Sequence, residues 1–137
     1  MGLILDSSVV IAAERRGENV TQLLQQIFIS TGDQEVALSS VGLTELVHGI
    51  YRAKTREAQA FRETFTRDLI QDVEVIPYTK DMALLAGKLD GEQQRRGVVI
   101  PFADLLIGAT ALHLGYGVVT VNVRHFRLIP GLLVVQL

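Results

Sequence analysis

The chain contains no cysteine, which excludes disulfides, zinc thiolate centres and thiol nucleophiles together. It also lacks a surplus of positive charge, since 13 Lys and Arg stand against 15 Asp and Glu for a formal net charge of −2. No global field draws nucleic acid in, so any such substrate has to be held locally. Aromatic residues make up only 6% of the chain, and no base-stacking platform is read among its basic clusters. No Walker sequence, GxGxxG or GxSxG is present, which leaves nucleotide-binding and serine-hydrolase readings without support. The start, from Met1 to Asp6, lacks the basic region of a signal peptide. Residues 105–121 are uncharged, yet Gly115 and Gly117 divide them, and they do not read as a membrane span. A soluble, cytoplasmic protein is expected.

At 137 residues the chain is long enough to bury a proper core, and it is read as one domain over residues 1–137. Hydrophobic residues reach 48% with a mean hydropathy of +0.30, high for a small soluble monomer. A homo-oligomer or a permanent partner would cover that surplus. Gly2–Leu5 is a short apolar run of the buried-strand kind, and Ser7 and Ser8 are natural capping residues before a helix over Val9–Arg15. After a turn, helical spacing runs from Val20 to Ser30. Glu35–Ser39 reads as a second strand, and Ser39 and Ser40 lead into a helix with Leu43, Leu46, Val47 and Ile50 on one side. Arg56–Gln71 forms an amphipathic helix, Val73–Tyr78 a third strand, and Thr79 caps a helix over Lys80–Arg96. Pro101 opens a nearly all-apolar helix that Gly115 and Gly117 close after Leu114. Val118–Val123 is the fourth strand, Arg124–Arg127 a turn, and Leu132–Gln136 a fifth strand. Strands alternating with helices predict an α/β fold with a central, largely parallel β-sheet flanked by helices.

The polar exceptions on this frame collect at one edge. Asp6 ends the first strand, Glu45 lies in the first turns of the helix after the second, Asp104 is in the first turn of the apolar helix, and Asn122 is near the end of the fourth strand. Asp104 is the only charge between Arg96 and Arg124, and a lone buried acid is costly unless something positive meets it. In a parallel sheet, strand C-termini and the N-termini of the following helices share the edge where ligands bind. The same holds for Asp104 if Val98–Ile100 runs with the sheet. Three acids and an amide then converge, a self-repelling cluster unless a cation fills it. All the donors are hard oxygens, which selects Mg²⁺ or Mn²⁺ over zinc or copper.

The residues Ile4-Leu5-Asp6-Ser7-Ser8, Leu43-Thr44-Glu45-Leu46, Phe102-Ala103-Asp104-Leu105-Leu106-Ile107 and Thr120-Val121-Asn122-Val123-Arg124-His125-Phe126 together resemble a PIN domain. Within that family the chain is similar to VapC-type toxins of bacterial toxin–antitoxin pairs, and the resemblance covers essentially its whole length. It implies a metal-dependent endoribonuclease that cuts single-stranded or structured RNA to 5′-phosphate and 3′-hydroxyl ends. It also implies a homodimer and a VapB-like antitoxin partner. The family's acidic residues correspond here to Asp6, Glu45 and Asp104, the metal ligands, while Asn122 stands where many relatives have an acid. His125 occupies a place where others have aspartate. With three carboxylates rather than more, a one-metal site fits better than two.

Other side chains are assigned by weighing them against ordinary structural roles. Ser8 and Thr120 are candidates to orient Asp6, against capping and strand propensity respectively. Arg124, His125 and Arg127 form a basic loop beside the site that either holds phosphate or solvates the edge. Arg52, Lys54 and Arg56, with Arg15 and Arg16, would flank an RNA groove, but scattered exposed arginines are common. His48 and His113 have no ligand partner one helical turn away and are not read as metal ligands. Two rival functions remain: an aspartyl-phosphate phosphatase, which usually carries a second aspartate where Ser8 stands, and a non-catalytic PIN-like module that only binds a partner.

Overall fold

The strand over Gly2–Leu5 (β1) has no solvent-facing side, since all four residues are buried. Successive side chains of a strand point to opposite faces, and here Leu3 and Leu5 enter one core while Ile4 enters the other. Both faces must therefore be covered, as parallel sheets require. The computed structural model describes residues 2–137. After β1 come α1 (Ser7–Arg15), α2 (Val20–Thr31), β2 (Glu35–Ser39), α3 (Ser40–Tyr51), α4 (Arg56–Asp72) and β3 (Glu74–Ile76). They are followed by α5 (Lys80–Arg95), α6 (Phe102–Leu114), β4 (Gly117–Thr120), α7 (Val123–Phe126) and β5 (Val134–Gln136).

The sheet order is β3-β2-β1-β4-β5, with every neighbouring pair parallel. The chain builds outward from β1 through β2 to β3, then crosses over to lay β4 against the other side of β1. Connections thus leave β1 and β4 in opposite directions, and the crevice beyond their carboxyl ends is the position where open α/β sheets bind ligands. On one face α1, α2 and α4 supply Val9, Val10, Leu23, Ile27, Phe65 and Leu69 to the core. On the other, α5 and α6 supply Ala86, Leu89, Ile107, Ala109 and Ala111. Among the described residues no helix is long and apolar enough to cross a membrane.

The α/β class and the parallel sheet agree with expectation, and several local assignments do not. Val98–Ile100 is not a strand. Asp104 reaches the ligand edge for another reason: a helix that leads into a parallel strand runs against it, so the N-terminus of α6 lies where β4 ends. β4 stops at Thr120, which puts Asn122 beyond the sheet at the N-cap of α7 rather than near the end of a strand. The segment expected as a turn over Arg124–Arg127 is a single helical turn, anchored by Phe126, which is fully buried. Full burial of such a side chain stabilises by about 1.5–3 kcal/mol. β3 and β5 are shorter than expected. Pro101 sits at the N-cap of α6, one residue before the first turn. Gly115 ends α6 in the left-handed region (φ 71°), which glycine adopts without steric cost. A Cβ on Gly108 would collide with Ile129 Cδ1, so the segment after α7 approaches α6 closely only because that residue is glycine.

Candidate active site

Asp6 is the first residue past β1, and its N–H extends the ladder to the carbonyl of Val119 at 3.0 Å. The residue is 2% exposed. It occupies the N-cap of α1, yet its side chain makes no capping bond. Its Oδ2 instead accepts hydrogen bonds from Ser8 Oγ at 2.5 Å and Thr120 Oγ1 at 2.8 Å. Each hydroxyl is aimed by a backbone donor, the Val121 N–H reaching Ser8 Oγ at 3.2 Å and the Asn122 N–H reaching Thr120 Oγ1 at 2.8 Å. A hydroxyl has one proton to give. Both are spent on Asp6, so the 3.2 Å approach between Ser8 and Thr120 is a contact and not a further bond.

Ser7, expected as a cap, turns the other way and donates to Glu45 Oε1 at 3.1 Å. Glu45 is half-buried on α3. Burial pushes its carboxyl above the ordinary range, Ser7 pulls it back, and the charges of Asp6 and Asp104 push it up again. Asp104 is 9% exposed on the first turn of α6. Its Oδ2 lies 2.8 Å from His125 Nδ1, a bond in which the ring N–H donates to the carboxylate. Burial raises the Asp104 carboxyl, the His125 hydrogen bond lowers it, and the charge of Asp6 raises it. The charge of Asp6 thus reaches both Glu45 and Asp104, although the three acids come from the end of β1, from α3 and from α6.

The donor set is all oxygen, with one oxygen of each carboxylate already hydrogen-bonded. Among the described residues no group of three or more His, Asp and Glu side chains is gathered closely enough to hold a metal ion by itself. Asn122 is exposed, and its side chain makes no hydrogen bond to a described residue. Arg124 is exposed on α7 beside His125.

The basic residues sort differently from their order in the chain. Arg15 and Arg52 line one cleft of about 290 Å³ between α1, α3 and α4, with Glu45 in its wall. Arg62, on α4, also lines it, donating to Glu14 Oε1 at 2.7 Å and to the Gly49 carbonyl at 2.6 Å. Arg16 turns away to Glu18, and Lys54 and Arg56 do not line the cleft. His113 is near the far end of α6 from Asp104, and His48 is exposed on α3. Two pairings had no signal in the sequence, Ser7 with Glu45 and His125 with Asp104, because the partners stand 38 and 21 residues apart.

A PIN domain model matches residues 3–132. Ribonuclease VapC of Rickettsia bellii is 33% identical over 132 residues, spanning 96% of this chain and 93% of that protein. Ribonuclease VapC1 of Rickettsia felis is 27% identical over the same coverage. Among solved structures, VapBC2 from Rickettsia felis bound to a promoter DNA fragment aligns with a TM-score of 0.85 at 22% identity, covering 100% of this chain and 99% of that one. This last likeness is one of fold. Sequence and fold agree along nearly the whole length, and the chain belongs to the PIN-domain family.

Proposed function

We propose that this protein is a metal-dependent endoribonuclease, the toxin of a toxin–antitoxin pair. The observation that carries the reading is the placement of Asp6, Glu45 and Asp104, three acids from separate elements, at the sheet's ligand edge. Such a cluster destabilises the fold unless a cation is bound. Relatives named as ribonucleases support the reaction class, and the similarity to a VapBC complex supports a VapB-like antitoxin as partner. A homodimer in the cytoplasm completes the proposal.

Asp6, Glu45 and Asp104 would hold Mg²⁺ or Mn²⁺. Bound there, such an ion supplies Lewis acidity, easing deprotonation of an attacking water and offsetting charge on the phosphoryl oxygens. The protein's own part is orientation. Ser8 and Thr120 fix Asp6, and Ser7 steadies Glu45. Arg15 and Arg52, on the cleft beside Glu45, offset the repulsion between the acids and an RNA backbone. Asn122, at the start of α7, would add a neutral oxygen at the rim.

The test is cleavage of single-stranded and structured RNA by purified protein with Mg²⁺ or Mn²⁺, with chelator, and by Asp6→Asn. Expected are ion-dependent products with 5′-phosphate ends, none in chelator and none from the variant. Expression in bacteria should arrest growth, and Asp6→Asn at equal protein level should relieve it. Robust cleavage by the chelated protein would overturn the mechanism. Ion binding without any cleavage would favour a module that binds a partner only.

A further inference from the structure

We infer that Arg96, Arg124 and Arg127 form a row of phosphate contacts that carries a single RNA strand away from the acid site, across α7 to the end of α5. The inference rests on the nuclease reading above and names where this chain holds its substrate beyond the phosphate to be cut.

Charge is unevenly divided along the chain. From Gln93 to Leu137 there are four arginines and one acid, Asp104, although the whole chain carries −2. Asp104 is already met by His125. The acids just before this segment are engaged as well, Glu92 with Lys88 at 3.8 Å and Asp90 with Gln94 at 3.1 Å. Arg96, Arg124 and Arg127 are exposed, and among the described residues none of them pairs with a carboxylate.

The fold gathers these three. Arg124 and Arg127 stand three residues apart on α7 and its C-cap, so they share a face. Phe126, fully buried, holds that face outward. Gln93 is buried near the end of α5, and its side-chain amide donates to the Leu128 carbonyl at 2.7 Å. That bond pins the end of α5 beside the residue that follows Arg127. Arg96, the C-cap of α5, is three residues beyond Gln93 and lies on the same side of the helix. Arg95 is only two beyond and lies on the other. Guanidiniums brought together without carboxylates repel one another, and a chain of phosphates relieves that repulsion while matching their forked donors.

The row also has a direction. In the sheet β1 lies between β2 and β4, so α3, which follows β2, and α7, which follows β4, flank Asp6 from opposite sides. The cleft with Arg15 and Arg52 is on the Glu45 side. His125, bonded to Asp104, begins the row on the other side. A strand lying across the acids therefore meets arginines on both sides. This continuity with the acid site favours RNA over an acidic peptide as the occupant.

The experiment measures fluorescence anisotropy of a labelled single-stranded RNA of about 20 nucleotides, from about 50 to 200 mM KCl. The intact protein is kept in chelator so that nothing is cut. Each phosphate contact on a single strand adds about 0.7 to the slope of log affinity against log salt, so three account for about 2. Over that range the wild type should lose roughly twentyfold more affinity than the triple variant Arg96→Ala, Arg124→Ala, Arg127→Ala. Lysine at the same three positions should keep the wild-type slope, since it supplies the same charge. Arg67→Ala, which removes an exposed charge from α4, should leave the slope unchanged. Three results overturn the row alone: a wild-type slope in the triple alanine variant, a fall per arginine as large at Arg67, or no RNA binding by a wild type that still cleaves with Mn²⁺. Loss of polyglutamate binding with RNA binding intact would give the row to an acidic protein partner and overturn it too. A wild type that neither binds this RNA nor cleaves it with Mn²⁺ overturns the nuclease reading itself.

Discussion

Replacing Thr120 with valine removes one hydroxyl while keeping nearly the same shape, at a residue that is fully buried. Two hydrogen bonds disappear, one to Asp6 Oδ2 and one from the Asn122 N–H, both at 2.8 Å. Asn122 is exposed, so its N–H finds water and costs little. The bond to the Asp6 carboxylate is charge-assisted, and such bonds contribute about 1.5–3 kcal/mol. The added methyl returns about 0.8 kcal/mol through burial. The net loss is then about 1–2 kcal/mol. Over 137 residues, an unfolding entropy of about 2.1 cal/mol/K per residue converts this to a fall in Tm of about 4–7 °C. Differential scanning calorimetry at neutral pH in chelator measures it. Mn²⁺ affinity should fall about tenfold in Thr120→Val, because Asp6 loses a fixed orientation, and should survive in Thr120→Ser, which keeps the hydroxyl. A valine variant that melts with the wild type and binds Mn²⁺ equally well would refute the role given to Thr120.

The Asp104 carboxyl is raised in the folded protein by burial and by the charge of Asp6. The native state then binds its proton more tightly than the unfolded chain does, so stability is lost as pH rises through the carboxylate range. Asp104→Asn, which carries no charge, should melt above the wild type at neutral pH in chelator. The difference should vanish below the ordinary carboxyl value of 3.8. A lower melting point than wild type at neutral pH would return Asp104 to a purely structural role. Asn122→Asp should tighten Mn²⁺ binding by adding a fourth negative charge. Unchanged affinity in a calorimetric titration would put Asn122 outside the site.

Much of the architecture could be read from periodicity because burial controls it. The run Gly2–Leu5 and the amphipathic stripe of Arg56–Gln71 are set by which faces meet the core, and the structure agrees to within a residue. Short segments held by single contacts were less legible. The turn of helix at Val123–Phe126 depends on burying Phe126 against the second core, which no local pattern announces. Among the candidate site residues, the acids stood out as lone charges in apolar surroundings. Their donors were legible only in part. Ser8 and Thr120 are candidates in the sequence to orient Asp6, and both donate to it, whereas Ser7 reads as a cap and only the folded chain shows it turned toward Glu45. Arg15 and Arg52 stand in the sequence with Arg16, Lys54 and Arg56, and only the packing of α1 against α3 shows which of the five share one cleft.

The hydrogen bond between Asp6 and Thr120 closes a loop of 114 residues. Thr120 leaves the ribosome 114 residues after Asp6, and Asp104 and His125 also follow long after it. Until β4 has docked against β1, Asp6 has no hydroxyl from Thr120 to orient it and no Asp104 beside it. A nascent chain or an amino-terminal fragment therefore holds only scattered carboxylates with nothing to align them. The nuclease activity proposed here would switch on only once the segment from Asp104 to His125 has been made and has docked. A cell making such a protein has the time needed to translate those intervening residues in which to bring an inhibitor to the place where it will fold.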